Sequence, residues 1–283
     1  MTRIMDLSET AKLYDENYYA SGCGPVYRRD DHWMNFFGEI AEKIAEGIQP
    51  GTVLDAGCAM GFLVEQLRAH GIEAWGVDIS QYAIGKAHES LRDFVWVGSV
   101  TEPFPSRYDL IVSIEVLEHL PKEASELAVV NICQHTDDVL FSSTPLDYKE
   151  TTHFNVQPVE YWAELFARQG FFRDVDFDAT FITPWATRYR RKQETLTRMV
   201  RDYERWGWAM RKENADLREQ VVAYESSLKD MAGEMEKLRA KSPDLAVWEA
   251  QVAIWQEQQN TAGWKMLQKI RQVANPVRRW LNK

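Results

Sequence analysis

The chain has 283 residues, 45% hydrophobic and 12% aromatic, which is enough apolar material for one α/β domain plus an appendage. A net charge of −10 lacks the basic balance that a general grip on nucleic acid needs, so no nucleic-acid partner is expected. Cys23, Cys58 and Cys133 show no metal or redox spacing, no leader-like apolar N-terminus is present and no run approaches 18 apolar residues; this predicts a reduced, cytoplasmic protein that does not span a membrane.

Residues 1–50 read as an aromatic helical lid. It ends in an amphipathic helix over Trp33–Ile48 with Trp33, Phe36, Phe37, Ile40 and Ile44 on one face, stopped by Pro50-Gly51. Strands and helices alternate through residues 51–187. Strands are expected at 52–54, 74–77, 94–97, 110–114 and 139–142, and helices at 62–70, 82–91 and 158–168. Residues 171–183 should supply the last, partly antiparallel strands. That succession predicts an α/β fold, a Rossmann-like doubly wound sheet with helices on both faces.

From about residue 188 glycine becomes rare and apolar residues recur at steps of three and four. Leu196, Met199, Tyr203, Trp206 and Met210 form one seam, and Leu217, Val221, Tyr224, Leu228, Met231, Met235 and Leu238 continue it past a stutter at Asn214. Residues 188–241 therefore read as an all-α coiled-coil region, roughly 75 Å of helix at 1.5 Å per residue, that favours a homo-oligomer without choosing dimer or trimer. A long helix packed on its own domain is the other reading. Residues 242–283 follow as helices after a break at Ser242-Pro243. Residues 264–283 hold six basic residues and no acid, leaving 27 basic against 43 acidic residues, a balance of −16, in the rest. This tryptophan-containing basic amphipathic end fits a membrane-surface anchor, and equally a solvated tail or a patch for a partner protein.

The chemistry-bearing signal is Val53-Leu-Asp-Ala-Gly-Cys-Ala-Met-Gly61, followed by Gly76-Val-Asp78-Ile-Ser80. Gly57 and Gly61 allow a sharp turn into the next helix, and Asp78 arrives at a strand tip where a carboxylate accepts both hydroxyls of a ribose. A dinucleotide loop would carry glycine where Ala59 and Phe62 stand. The acidic-first loop instead resembles that of class I methyltransferases that bind S-adenosylmethionine, which implies a ribose and a zwitterionic amino acid as ligand groups. The resemblance implies Gly57 and Cys58 beside the methionine part, Asp55 fixing the loop with Gly61, Asp78 on the ribose, Ile79 against adenine and Tyr27 in the lid. Many relatives place an Asp after the third strand; here Ser99, or the backbone at Val100, takes that position.

The fourth strand leads into Glu115-Val-Leu-Glu118-His119, and the fifth into Ser143-Thr-Pro145 and Thr152-His153-Phe-Asn155, all at the carboxyl edge of the sheet. His153 or His119 is expected to take the acceptor's proton, since imidazole titrates near working pH. Some methyltransferases acting on RNA ends or ubiquinone precursors use Glu-x-x-Glu-His with a divalent metal. By that resemblance Glu115, Glu118, His119 and His153 offer ligands for Mg²⁺ or Mn²⁺, the alternative being that Glu118-His119 only orders a loop.

Tyr18-Tyr19, Cys23-Gly24, Tyr27-Arg28-Arg29, the Val53–Gly61 loop, Ser143-Thr-Pro145, His153-Phe-Asn155 and Pro184-Trp185-Ala186 together resemble a bacterial methyltransferase family, over about residues 14–187. Its members are often encoded or fused with glycosyltransferases of surface-polysaccharide synthesis. The part beyond residue 187 is similar to polysaccharide chain-terminating methyltransferases, with a coiled-coil length gauge and an amphipathic end at the inner membrane. The resemblance implies an O-methyltransferase acting on a cell-surface glycan or its lipid-linked precursor, with a glycosyltransferase partner, peripheral at the inner face of the cytoplasmic membrane. A small-metabolite methyltransferase whose tail only oligomerises, and a non-catalytic scaffold, are the alternatives.

Overall fold

The computed structural model describes residues 10–22, 25–241 and 243–259, so Cys23-Gly24 and the basic end expected over 264–283 lie outside the described residues. The chain divides into two compact units, Met1–Tyr203 and Glu204–Lys283.

The first unit is built on seven strands: β1 Thr52–Ala56, β2 Glu73–Asp78, β3 Val95–Val97, β4 Leu110–Ile114, β5 Asp138–Ser142, β6 Phe171–Arg173 and β7 Thr187–Arg191, in the order β3-β2-β1-β4-β5-β7-β6. β7 runs antiparallel to both β5 and β6; the other pairings are parallel. The central strands are buried on both faces, as a sheet covered twice requires. Along them side chains alternate between two cores. Leu54, Ile111, Val139 and Phe141 face one core with Ile132, Trp162 and Phe166, while Val53, Leu110, Val112 and Leu140 face the other with Ile40, Ile44, Leu63 and Leu67. The strand order reverses direction between β1 and β4, which opens a crevice at the carboxyl edge.

The helices are α1 Asp31–Gly47, α2 Phe62–Ala69, α3 Gln81–Gly85, α4 Lys122–His135, α5 Val159–Arg168, α6 Leu196–Lys241 and α7 Pro243–Gln259. Asp30 caps α1 by accepting from Trp33 N at 3.2 Å. The single helix expected over 82–91 is instead α3 followed by a separate 3₁₀ turn at Glu89–Leu91, because His88 is extended and accepts from Ser90 N. Helix α4 carries no clean apolar period in the sequence. Its buried face includes Ser125 and Asn131, and Asn131 Nδ2 donates to the carbonyls of Val100 and Glu102, while Leu127 faces outward. The last strand lies later than the expected 171–183 segment. β7 extends past residue 187 to Arg191, where Arg188, which reads as part of the charged helical region, is half-buried and paired with Asp138 and Asp174.

Helix α6 is continuous over 46 residues, and Leu217, Val221, Leu228, Met231 and Leu238 on its seam are exposed. Its end pairs with α7 through Arg239 and Glu249 at 2.8 Å. No helix among the described residues is long and apolar enough to cross a membrane.

The turn from β1 into α2 rests on β2. Gly57 N and Cys58 N both donate to the Val77 carbonyl, at 2.8 and 3.1 Å. Gly57 has φ +97°, and a Cβ there would meet Val116 Cγ2 at 2.3 Å; below it, a Cβ on Gly76 would lie 2.6 Å from Cys58 Sγ. Backbone strain excludes a side chain at Gly57, and lack of room excludes one at Gly76. Gly76→Ala should therefore cost about 1–3 kcal/mol through overpacking. Gly85→Ala, with nothing within 4 Å, is the control. Thermal melts of the two variants should separate clearly, and equal melting temperatures would show that the turn accommodates the added methyl.

Candidate functional site

A cavity of about 810 Å³ opens at the crevice between β1 and β4. Eight of the nine residues expected to bind the methyl donor line it: Tyr27, Asp55, Gly57, Cys58, Asp78, Ile79, Ser99 and Val100. Gly61 does not. It turns the chain into α2 at φ +76°.

Asp78 is buried at the tip of β2, where its Oδ2 accepts from Ala59 N and its Oδ1 from Ser80 N, both at 2.8 Å. These bonds orient the carboxylate across the loop and partly oppose the burial that raises its pKa. Asp55 is pushed up to about 8, first by burial and then by Asp78, so its carboxyl largely keeps its proton at neutral pH. Burial raises the Cys58 thiol well above its ordinary value, which leaves it a packing group and not a nucleophile. On the adenine side the Ser99 hydroxyl is already engaged with Thr101 Oγ1 at 2.7 Å, and the Val100 carbonyl accepts from Asn131.

The N-terminal aromatics close one wall. Tyr27 stacks on Phe62 with ring centres 5.0 Å apart, Tyr19 stacks on Tyr82 at 5.8 Å, and Ser80 Oγ donates to the Tyr14 carbonyl at 2.5 Å. Tyr14 and Tyr18 stand edge-on to His119, and Trp33 and Phe37 complete the apolar side.

The opposite end is polar. His119 Nδ1 is 3.2 Å from the Thr152 carbonyl, and His153 Nδ1 is 2.8 Å from the Asp147 carbonyl, so both rings are fixed with Nδ1–H donating and Nε2 turned inward. Burial, then His153, lowers His119 to about 4, which keeps it neutral at physiological pH. His153 Nε2 lies 3.3 Å from Glu150 Oε2, and Thr152 Oγ1 donates to Glu150 Oε1 at 2.5 Å. His153 thus has an oxygen facing each of its ring nitrogens. Ligand atoms of His119, Glu150 and His153 all fall within 4.8 Å of one another.

The sequence-expected carboxylates sort differently. Glu115 lines the cavity with a left-handed backbone, φ +52°, and Trp185 Nε1 donates to its Oε1 at 2.9 Å. Glu118 is fully buried behind the wall, where its Oε1 accepts from Thr144 N at 3.2 Å. The structure thus groups His119 and His153 with Glu150, and Glu115 with Glu118 as a separate pair. Glu150 escaped sequence reasoning, although the Glu150-x-x-His153 spacing was there to read. Trp185 stood out only as part of a motif.

The family model described as "Methyltransferase domain" matches residues 28–175. The ubiquinone biosynthesis O-methyltransferase of Serratia proteamaculans (strain 568) is 36% identical over 119 residues, 39% of this chain and 46% of the relative. The Aromatoleum aromaticum protein of the same name (strain DSM 19018 / LMG 30748 / EbN1) is 30% identical over 131 residues, 43% of this chain and 56% of the relative. The chain spans about half the length of these curated relatives. Magnesium protoporphyrin IX methyltransferase from Synechocystis PCC 6803, solved with bound SAM, superposes with a TM-score of 0.52 at 17% identity, covering 68% of this chain and 100% of that one. That likeness is one of fold. With the family model matching more than half its length and the loop, sheet order and cavity in agreement, the chain belongs to the methyltransferase-domain family.

Proposed function

We propose that the protein transfers the methyl group of S-adenosylmethionine to a hydroxyl of a neutral glycan or its lipid-linked precursor. The observation that carries the reading is one cavity with two chemically distinct ends: Asp78 and the Gly57 turn at one, and a polar chamber of carboxylates and imidazoles at the other. S-adenosylmethionine supplies an electrophilic methyl on a sulfonium. Asp78 holds the ribose diol, Gly57 and Cys58 border the methionine part, Ile79 packs on the adenine side with Ser99 and Val100 at its edge, and Tyr27 closes the lid. Asp55 steadies the loop, and Gly61 sets the helix start. At the far end His119, neutral with its Nε2 bare, takes the acceptor proton as the new O–CH₃ bond forms, and His153 and Glu150 hold it in place.

Lys149 is the one lysine or arginine among the described lining residues, against Glu115, Asp147 and Glu150. Such walls repel phosphate or carboxylate acceptors and accept hydroxyl donors, while exposed Tyr148 and the Trp185 ring offer apolar faces of the kind a sugar ring stacks on. A second reading, a small metabolite such as the relatives' name implies, is favoured by the aromatic wall of Tyr14, Tyr18, Trp33 and Phe37. The non-catalytic scaffold is disfavoured by the intact cavity.

Lipid-linked glycan incubated with S-adenosylmethionine and the full chain should gain the mass of one methyl. Asp78→Ala should weaken donor binding at least about tenfold, the worth of one or two charge-assisted hydrogen bonds. Methylation of free small aromatics alone would select the second reading.

A divalent ion is the alternative to a free imidazole base, since it would occupy the nitrogen that takes the proton. His119, Glu150 and His153 fit one through two imidazole nitrogens and a carboxylate oxygen, a donor set that favours Mn²⁺ over Mg²⁺. Glu115 and Glu118 stand outside that ligand set. Titrating Mn²⁺ into the protein should broaden its paramagnetic resonance signal in the wild type and not in Glu150→Ala, and chelation should stop turnover. Free Mn²⁺ throughout, with activity intact after chelation, would leave only the proton.

The exposed seam of α6 supports a homo-oligomer, with the basic end at residues 264–283 as a membrane contact on the cytoplasmic face beside a glycosyltransferase partner. Leu217→Asp with Leu228→Asp should shift sedimentation to a monomer, and removal of 264–283 should release the protein from anionic vesicles. Unchanged sedimentation would overturn the homo-oligomer.

A further inference from the structure

We propose that Trp185 is the platform on which a pyranose ring of the acceptor stacks, with Glu115 as the positioning residue that sets the plane of its indole. This rests on the glycan reading above and names the subsite which that reading requires.

Topology separates the two halves of the cavity. Gly57, Asp78 and Ser99, ascribed to the donor, stand at the carboxyl ends of β1, β2 and β3. Glu115 and Thr144 stand at those of β4 and β5. Trp185 comes two residues before β7, whose antiparallel course against β5 starts at the same edge. In the sheet β7 is four strands from β2, roughly 19 Å across at a usual strand spacing. The indole therefore lines the half of the cavity that lies away from the ribose acid.

Local structure makes the platform rigid. Ala186 N donates to the Thr183 carbonyl at 3.0 Å, which closes a turn with Pro184 and Trp185 at its centre. Proline presets the backbone at the first of those two positions. On either side Ile182 and Ala186 are buried in the core that holds Ile40 and Leu140. The indole N–H then donates to Glu115 Oε1 at 2.9 Å, across 70 residues of sequence. Glu115 is itself held, since its N donates to the Ser142 carbonyl at 3.1 Å. Turn and hydrogen bond thus restrain the ring at both ends.

The faces of this ring are bare of aromatic partners. Trp33, Trp75 and Trp162 each pack against another ring. Among the described residues no aromatic ring or cation packs on Trp185, although it lines the cavity. An indole with its N–H satisfied and its faces uncovered offers apolar area without a polar demand. A pyranose matches that. One face carries C–H groups for the indole, and its rim carries hydroxyls for Asp147, Glu150 and His119 along the same cavity.

The test is saturation-transfer NMR on the full chain with S-adenosylhomocysteine present. The probes are the methyl pyranosides of glucose, mannose and rhamnose, with sorbitol as the open-chain probe and catechol as the aromatic one. The wild type should transfer saturation to the ring protons of at least one glycoside and not to sorbitol. Trp185→Leu keeps apolar bulk without the flat face; it and Trp185→Ala should each weaken that glycoside about tenfold or more. Glu115→Ala should weaken it about fivefold, and Glu115→Gln, which keeps an oxygen for the indole, should recover most of the loss. Calorimetry should find S-adenosylhomocysteine bound by the Trp185 variants within about threefold of the wild type, which shows them folded. Glycoside binding unchanged in a folded Trp185 variant would overturn the platform. Equal loss in Glu115→Ala and Glu115→Gln would overturn the positioning role. Sorbitol or catechol bound as well as every glycoside would overturn the recognition of a pyranose. A wild type that binds S-adenosylhomocysteine and no glycoside would remove the glycan reading itself, and the platform with it.

Discussion

Everything at the site depends on one close approach. The turn after β1 is tied to β2 by two N–H groups on the single Val77 carbonyl, and it is wedged against β4 by Val116. Three strand ends are thereby fixed to one another within van der Waals distance. Because Gly57 and Gly76 carry no side chains, the loop backbone itself becomes the cavity floor. Asp78 adds the last tie by accepting from Ala59, which joins the tip of β2 to the loop beside it. A fold that relied on side-chain contacts here would raise the cavity floor by at least a methyl's width.

The acids around that floor make sense only together. Asp55, Asp78 and Glu118 are all buried, and each has its pKa raised, yet Asp78 alone accepts two short backbone bonds. The site thus separates one carboxylate held by two short backbone N–H bonds from two whose burial is less offset. A cationic ligand supplies the counter-charge that burial removed. Such a ligand offsets part of the electrostatic cost of these buried acids, and a neutral one does not.

Much of this was legible in the chain. The loop from Val53 to Gly61 and its partner Asp78 announced the crevice, because their demands are backbone demands that only glycine and one short acid satisfy. Strands buried on both faces showed as continuous apolar runs at Leu110–Ile114 and Asp138–Ser142. Legibility failed where burial was polar. Helix α4 hides Ser125 and Asn131 in its core face, so its period vanished. β7 hides Arg188, so a strand looked like the start of a charged helix. The grouping of His119 with Glu150 rather than Glu118 was also unreadable. On a helical turn Glu115 would share a face with Glu118 or with His119. The short 3₁₀ segment at Leu117–His119 sends one inward and the other into the cavity.

The antiparallel return of β7 also fixes a schedule. The sheet stays open along β5 until residues 187–191 arrive, and α6 begins at Leu196, a few residues later. On a ribosome that releases the chain from its N-terminus, the sheet receives its last strand before the sticky, outward-facing seam of α6 is made. The β5 edge of the sheet is thus covered before the exposed apolar residues of α6 leave the ribosome.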